Sequence, residues 1–232
     1  MTDAEIFRAD RLDLRFAPRR WAYADVHRAE IDAHFAAKQR TKPALWNGRV
    51  LLAGELRVSA GVCRGEFLET DFASFDAWRD WGRPPAAAID CFAAVALRTA
   101  DGAYLLGVMN GHTASAGQIY FPCGTPDPGD VVAGRVDLEY SARRELLEET
   151  GLAADEFEAE PGWLVVFAGP VAMLAKLLHA RQSAEQLRAK VHSHLASEQR
   201  PELADVHLVR GPDDFRPTMP SYIAAFFRHM WR

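Results

Sequence analysis

The chain has 232 residues, of which 49% are hydrophobic and 25% are charged, and its formal net charge is −5. This composition can support a sizeable buried core and excludes global disorder. The negative charge argues against a general nucleic-acid binder, because binding to a polyanion usually requires a basic face.

The cysteines and the N-terminus indicate the compartment. Three cysteines lie far apart and form no CxxC pair, namely Cys63, Cys91 and Cys123. This spacing predicts neither a disulfide framework nor a zinc site. The N-terminus is charged and lacks the apolar run of a signal peptide, and no stretch approaches 18 apolar residues. We therefore expect a cytoplasmic protein with neither membrane nor nucleic-acid partners.

Residues 1–85 are predicted to form an N-terminal lobe of a helix and short strands. A helical pattern covers residues 23–40 and ends at Pro43 and the Asn47-Gly48 turn. Two strand-like runs and an aromatic helical segment follow, at residues 49–52, 55–58 and 71–81. Because the run Gly82-Arg83-Pro84-Pro85 is typical of a linker, we place a domain boundary after residue 85.

Residues 86–232 are predicted to form the main domain, in which strands alternate with helices. The predicted strands are residues 89–97, 104–109, 118–121 and 163–167, and the predicted helices are residues 138–150, 171–178, 184–195 and 221–231. Asp137 and Gly151 are suited to cap the helix at 138–150. Interleaved strands and helices predict an α/β sandwich built on a mixed sheet.

Three carboxylates share one narrow face of the helix at 138–150. At ~100° per residue, Glu148 and Glu149 lie roughly 60° and 40° to either side of Glu145. Like charges at this spacing destabilise a helix, and a hard divalent cation such as Mg²⁺ would relieve the repulsion. A solvated acidic face is the alternative. The apolar stripe that borders the carboxylates consists of Leu138, Ala142 and Leu146.

The segment from Arg144 to Leu152 resembles the second half of the Nudix box, G-x5-E-x7-R-E-U-x-E-E-x-G-U, at every fixed position. Gly124 stands at the opening glycine, and Asp130 takes the place of the first glutamate. Thirteen residues separate Asp130 from Arg144 instead of seven, so this segment carries an insertion.

The resemblance to the Nudix family implies an α/β/α sandwich and a hydrolase of the pyrophosphate bond in a nucleoside diphosphate linked to another group. The ligands of Mg²⁺ or Mn²⁺ would be Glu145, Glu148, Glu149 and Asp130. Arg144 would orient one of these carboxylates, and Glu145 or Glu149 would serve as the base. Some relatives instead use a carboxylate on a distant loop, and the sequence identifies no such residue here.

The remaining positions of the box leave alternatives open. Glu139 rivals Asp130, although it would lie ~120° from Glu145 on an unbroken helix. Gly124 and Asp127 are the expected substrate contacts, and Asp127 could equally be a turn residue.

Residues outside the box bear on the substrate. The segment from Lys42 to Gly48 looks like a turn of the Nudix branch that hydrolyses UDP-sugars, so a nucleoside diphosphate sugar is the narrower expectation. The segment from Gly117 to Pro122 resembles coenzyme A pyrophosphatases, but their upstream arginine-bearing signature is absent. A non-catalytic nucleotide sensor is the other alternative, and the retained carboxylates favour catalysis over it. A homodimer also stays open.

Tryptophans offer candidate platforms for a nucleobase. Large aromatic side chains more often pack in a core. The four candidates are Trp21, Trp46, Trp78 and Trp81.

Overall fold

The computed structural model describes residues 4–232. Its strands are β1 (Glu5–Ala9), β2 (Arg11–Phe16), β3 (Arg49–Ser59), β4 (Val62–Asp71), β5 (Asp90–Arg98), β6 (Tyr104–Met109), β7 (Ile119–Tyr120), β8 (Val131–Val132), β9 (Arg135–Val136), β10 (Glu158–Ala159), β11 (Trp163–Ala168), β12 (Val171–His179) and β13 (Leu203–Val209). Its helices are α1 (Ala22–Val26), α2 (Arg28–Thr41), α3 (Phe72–Asp80), α4 (Leu138–Thr150), α5 (Ala184–Ser197) and α6 (Ser221–Met230). Within residues 4–232, no helix combines the length and the apolarity needed to cross a bilayer.

The main sheet has the strand order β1-β11-β12-β5-β6-β13, with β10 beside β12 and β7 beside β6. Its central strands, β5 and β12, pair in parallel, whereas the other pairs are antiparallel. Helix α4 packs on β5, and α6 packs on β11 and β12, so both central strands are almost wholly buried. The predicted α/β class with a mixed sheet is confirmed.

The second sheet has the order β3-β4-β2-β9-β8 and is also mixed. Its last two strands form a short hairpin whose turn residues, Ala133 and Gly134, both have positive φ angles. Arg135 in this hairpin donates to Asp13 of β2 at 2.7 Å. The insertion between Asp130 and Arg144 therefore forms a hairpin that extends the second sheet.

One predicted helix is wrong, because residues 171–178 lie in the strand β12. A strand buried on both faces reads as a continuous apolar run, which periodicity alone does not distinguish from a buried helix segment. Seven further strands were not predicted, namely β1, β2, β4, β8, β9, β10 and β13.

The N-terminal region contributes to both sheets and also has a small core of its own. Strand β1 pairs with β11 in the main sheet. Residues between Trp21 and Ala88 form a separate hydrophobic cluster, with Phe75 and Trp78 among its most buried members. Strand β3 contributes Leu51 to the main core and alternate residues to this cluster. A domain boundary at residue 85 stays a prediction.

The ends of α4 are fixed as expected from the sequence. The Asp137 carboxylate accepts a hydrogen bond from the Tyr140 backbone N–H at 2.9 Å. Gly151 ends the helix in the left-handed conformation, with φ at 69°, which a residue with a side chain rarely adopts. These two caps set where the acidic face of the helix begins and ends.

Asp71 caps α3 and is expected to stabilise the N-terminal lobe. Its carboxylate accepts from the Ser74 backbone N–H at 3.0 Å and pairs with Arg28 at 2.9 Å. Partial burial alone would raise its pKa, but the hydrogen bonds from Arg28 and Ser74 outweigh burial and hold the pKa of Asp71 below its usual value.

We expect Asp71→Ala to lower the free energy of unfolding at pH 7 by about 1–2 kcal/mol. A depressed pKa stabilises the fold above the usual aspartate range, so the difference from wild type should shrink below about pH 4. Urea unfolding at several pH values measures this. Asp32→Ala removes the exposed partner of Arg28 and serves as control. A constant difference across this pH range would contradict the role of the charge.

Candidate active site

Helix α4 presents Glu145 and Glu149 to a cavity of about 550 Å³, which we call the acidic cavity. The N-terminal lobe lines it with Trp46 and Phe72, among others. Glu149 is only 3% exposed, and the side chain of Glu145 is 12% exposed. This volume falls in the range of sites that bind small molecules.

The two carboxylates lie in a poorly solvated position. Burial raises the pKa of Glu149 well above its usual value, and the charges of Glu145 and Glu202 add to this effect. Burial also raises the pKa of Glu145 to about 7, although Arg144 opposes it. The Oε2 atom of Glu149 has no hydrogen-bond partner among the described residues. A buried carboxylate oxygen without a donor fits a hard divalent cation, since such ions take oxygen ligands.

Arg144 connects three carboxylates beside the cavity. Its Nη1 atom lies 2.8 Å from Glu145 and 3.3 Å from Glu148, and its Nη2 atom lies 3.3 Å from Asp130. Asp130 is fully buried and also accepts from the Asp127 backbone N–H at 3.0 Å. The buried Asp130 carboxylate therefore holds the Arg144 guanidinium in position.

Two other carboxylates of α4 do not line the acidic cavity. The side chain of Glu148 is 58% exposed and pairs with Arg144 without lining the cavity. Glu139, the alternative to Asp130, is exposed and pairs with Arg143 at 3.4 Å. Of the three glutamates expected to share a cation, the structure brings Glu145 and Glu149 to one cavity and leaves Glu148 at its edge.

The loop between β7 and α4 forms the wall opposite the carboxylates. A Cβ atom added at Gly124 would lie closer than 3.0 Å to the Glu145 carboxylate, a separation that Cβ atoms essentially never show. Asp127 lines the same cavity, and its side chain also accepts from the Gly129 backbone N–H at 2.6 Å. Gly124 thus provides the space that Glu145 occupies.

Glu202 is a cavity residue that sequence reasoning missed. It directly precedes β13, and its backbone carbonyl accepts from the Asn110 N–H at 2.8 Å, which holds it beside the end of β6. Glu202 lines the acidic cavity. Partial desolvation raises the pKa of its carboxyl group, and the negative charge of Glu148 raises it further. No local pattern marks Glu202, because it approaches α4 only through the pairing of β13 with β6.

A second cavity of about 590 Å³ adjoins the first, and we call it the aromatic cavity. Phe75, Phe92 and Tyr222 line it, and Tyr222 packs edge-on against Phe92. The two cavities share wall residues, including Tyr120 and Gly124. Because they share these residues, the two cavities form one cleft, lined by residues of the N-terminal region and of the main sheet.

Among the four tryptophans, Trp46 lies on the cleft. It lines the acidic cavity and is 80% exposed, with its ring folded against Gly48. Trp21 and Trp78 are buried in the small core, and Trp81 contacts histidine rings outside the two cavities. Trp46 is therefore placed where an aromatic platform could meet a ligand.

A separate cluster in the N-terminal lobe has metal-ligand character but does not fit a cation. Within residues 4–232, only His34, Asp76 and Asp80 bring three such ligand atoms within 4.8 Å of one another. The Lys38 ammonium lies 2.6 Å from Asp76 and 2.8 Å from Asp80, and Arg79 lies 2.6 Å from Asp76. Because two basic side chains already neutralise the two aspartates, this cluster has no charge left for a metal ion.

No family model matches the chain, and no curated protein matches it. Among solved structures, the chain is similar to the Nudix hydrolase RenU from M. smegmatis, with 15% identity over 61% of this chain and 81% of that one and a TM-score of 0.39. It is similar to the MutT protein from Methanosarcina mazei Go1, with 17% identity over 62% and 94% of the chains and a TM-score of 0.42. A bifunctional NMN adenylyltransferase/ADP ribose pyrophosphatase from Francisella tularensis shows 12% identity over 69% and 48%, with a TM-score of 0.41.

Proposed function

We propose that this chain is a divalent-metal-dependent hydrolase that cleaves the pyrophosphate bond of a nucleoside diphosphate linked to another group. The proposal depends on one observation: two largely buried carboxylates, Glu145 and Glu149, line a cavity of about 550 Å³, and the Oε2 atom of Glu149 has no donor among residues 4–232. The resemblance of residues 144–152 to the Nudix box supports the same chemistry.

Glu145 and Glu149 are the proposed ligands of Mg²⁺ or Mn²⁺, and Glu148 would approach from the edge. A bound divalent cation would supply charge neutralisation at the pyrophosphate and a water molecule of lowered pKa. Arg144 holds the Glu145 carboxylate in place, and Asp130 fixes Arg144 from behind. We assign Asp130 this positioning task in place of direct metal ligation.

Glu202 is the proposed proton acceptor for the attacking water. It lines the acidic cavity from β13, and it is more exposed than Glu145 or Glu149. A carboxylate that is not shared with the cation keeps a lone pair available for the proton, as a general base requires.

A nucleoside diphosphate sugar is the substrate that we propose first. The cleft has two compartments, which matches a molecule with a group on each side of a diphosphate. Trp46 would stack on the nucleobase, since an exposed ring offers an apolar face at little conformational cost. The turn from Lys42 to Gly48, which resembles that of the UDP-sugar branch, carries this ring.

Replacing Trp46 with alanine is expected to raise KM by about tenfold and to leave kcat within about threefold, because base stacking contributes about 1–3 kcal/mol to binding. Steady-state kinetics with the best substrate measures both constants. Trp81→Ala removes an equally large ring outside the cleft and should change neither. A fall in kcat at constant KM would contradict a binding role for Trp46.

A substrate panel tests the proposed function. UDP-glucose, ADP-ribose, coenzyme A and nucleoside triphosphates are incubated with Mg²⁺, and nucleoside monophosphate or phosphate release is measured. The proposal expects monophosphate from at least one diphosphate-linked substrate and none after chelation of the metal. Binding of a nucleotide without turnover would favour the sensor alternative.

A further inference from the structure

Arg79, at the end of α3, stands where the two cavities meet. Of the arginines in residues 4–232, it alone lines both the acidic and the aromatic cavity. Its Nη1 atom lies 3.5 Å from the Ser115 hydroxyl, and Ser115 also lines both cavities. The Nη1 donor of Arg79 therefore lies where the acidic and aromatic cavities adjoin.

The Arg79 side chain is fixed by contacts with Asp76 and Phe75, two residues of its own helix. Its Nη2 atom donates to Asp76, which is fully buried, at 2.6 Å. The guanidinium also lies 5.5 Å from the centre of the Phe75 ring, and its side chain is only 18% exposed. An arginine fixed in this way loses little rotamer freedom when it binds an anion.

The other basic side chains of the cleft are less suited to a central anion. Arg49 is half exposed, pairs with Glu69 at 2.6 Å and lines the acidic cavity only. Arg83 pairs with Asp90 at 2.6 Å and lines the aromatic cavity only. Arg200 is exposed and lines the acidic cavity only. The ion pairs of Arg79 with Asp76 and Asp80 use its Nη2 and Nε atoms, so Nη1 contacts the Ser115 hydroxyl and has no charged partner among residues 4–232.

We propose that Arg79 binds the substrate diphosphate from the N-terminal lobe, opposite the carboxylates of α4. The inference rests on the proposed function, which brings a diphosphate to Glu145 and Glu149. A diphosphate at those carboxylates would extend past Gly124 toward the aromatic cavity, and Nη1 of Arg79 lies beside Ser115, which lines both cavities. A planar guanidinium is well matched to phosphate oxygens and can donate to two of them.

Calorimetric titration of inorganic pyrophosphate, with and without Mg²⁺, tests this inference without requiring turnover. Arg79→Gln is expected to raise the Kd for pyrophosphate by about 10–100-fold, as for the loss of a charged hydrogen-bond donor. Arg143→Gln makes the same change of net charge on the far side of α4 and should shift Kd by less than about threefold. Lys38 still neutralises Asp76 in the Arg79→Gln variant, so the buried carboxylate keeps a partner.

Ser115→Asp provides a second variant that keeps the guanidinium, and it covers the case in which Arg79→Gln does not fold. The new carboxylate would occupy Nη1 and repel the anion, so the Kd for pyrophosphate should again rise by at least about tenfold, whereas Ser115→Asn should not raise it.

Absence of pyrophosphate binding by the wild type, or an unchanged Kd in Ser115→Asp, would overturn the inference. Hydrolysis of the panel substrates at wild-type KM by Arg79→Gln would also overturn it while leaving the proposed function intact. Conversely, Arg79-dependent pyrophosphate binding in a protein that hydrolyses nothing would refute the proposed function alone.

Discussion

Glu149→Gln is expected to reduce Mg²⁺-dependent hydrolysis by about a thousandfold or more. The glutamine side chain has nearly the same shape as glutamate. It is uncharged, and it offers a single, weaker oxygen ligand in place of two carboxylate oxygens. A cation that contributes several kcal/mol to the transition state would lose much of that contribution, and about 4 kcal/mol corresponds to a factor of ~10³. The initial rate with the best panel substrate measures the effect.

Glu139→Gln is the matched control, because Glu139 lies on the same helix but pairs with Arg143 away from the cavity. It should retain turnover within about twofold. The thermal midpoint of metal-free Glu149→Gln should equal or exceed that of wild type, since the variant removes a buried carboxylate whose Oε2 atom has no donor among residues 4–232. Wild-type turnover by Glu149→Gln would remove Glu149 from the metal site.

Gly124→Ala is expected to have the second largest effect. The added methyl group would collide with the Glu145 carboxylate, which the ion pair with Arg144 holds in place. Glu145 must then turn out of the position from which it faces Glu149, and we expect turnover to fall by about 10–100-fold, as when a metal ligand loses its support. Steady-state kinetics at saturating Mg²⁺ gives the magnitude.

Gly111→Ala provides the comparison, because a Cβ atom at Gly111 meets nothing within 4 Å. Both variants should keep wild-type thermal midpoints within a few degrees, since in Gly124→Ala only the end of one side chain is displaced. Equal turnover in Gly124→Ala and Gly111→Ala would show that the close approach of loop and carboxylate has no functional consequence.

The acidic helix and its capping residues were predictable because they depend only on residues that are close together in the sequence. Helical periodicity also predicts which of the three glutamates is buried. Glu149 lies ~40° from Glu145, between the apolar positions Leu138 and Ala142 at ~20° and ~60°. Its burial follows from that angle, as does the exposure of Glu148 on the other side.

Other parts of the site depend on the tertiary fold. Glu202 approaches α4 only because β13 pairs with β6, and Arg79 lines the cleft because the fold brings the end of α3 to Ser115 in the loop after β6. The strand β12 was mistaken for a helix because burial on both faces removes the alternation that identifies a strand. The inserted hairpin was visible in retrospect, since Ala133-Gly134 separates two valine-containing runs.

Binding of Mn²⁺ to the metal-free protein, followed by electron paramagnetic resonance, tests the central claim most directly. We expect wild type to bind at least one Mn²⁺ ion, and Glu149→Gln and Glu145→Gln to bind it at least about 100-fold more weakly, with Glu139→Gln unchanged. Equal Mn²⁺ affinity in all four proteins, or no binding by wild type, would contradict a cation site at Glu145 and Glu149.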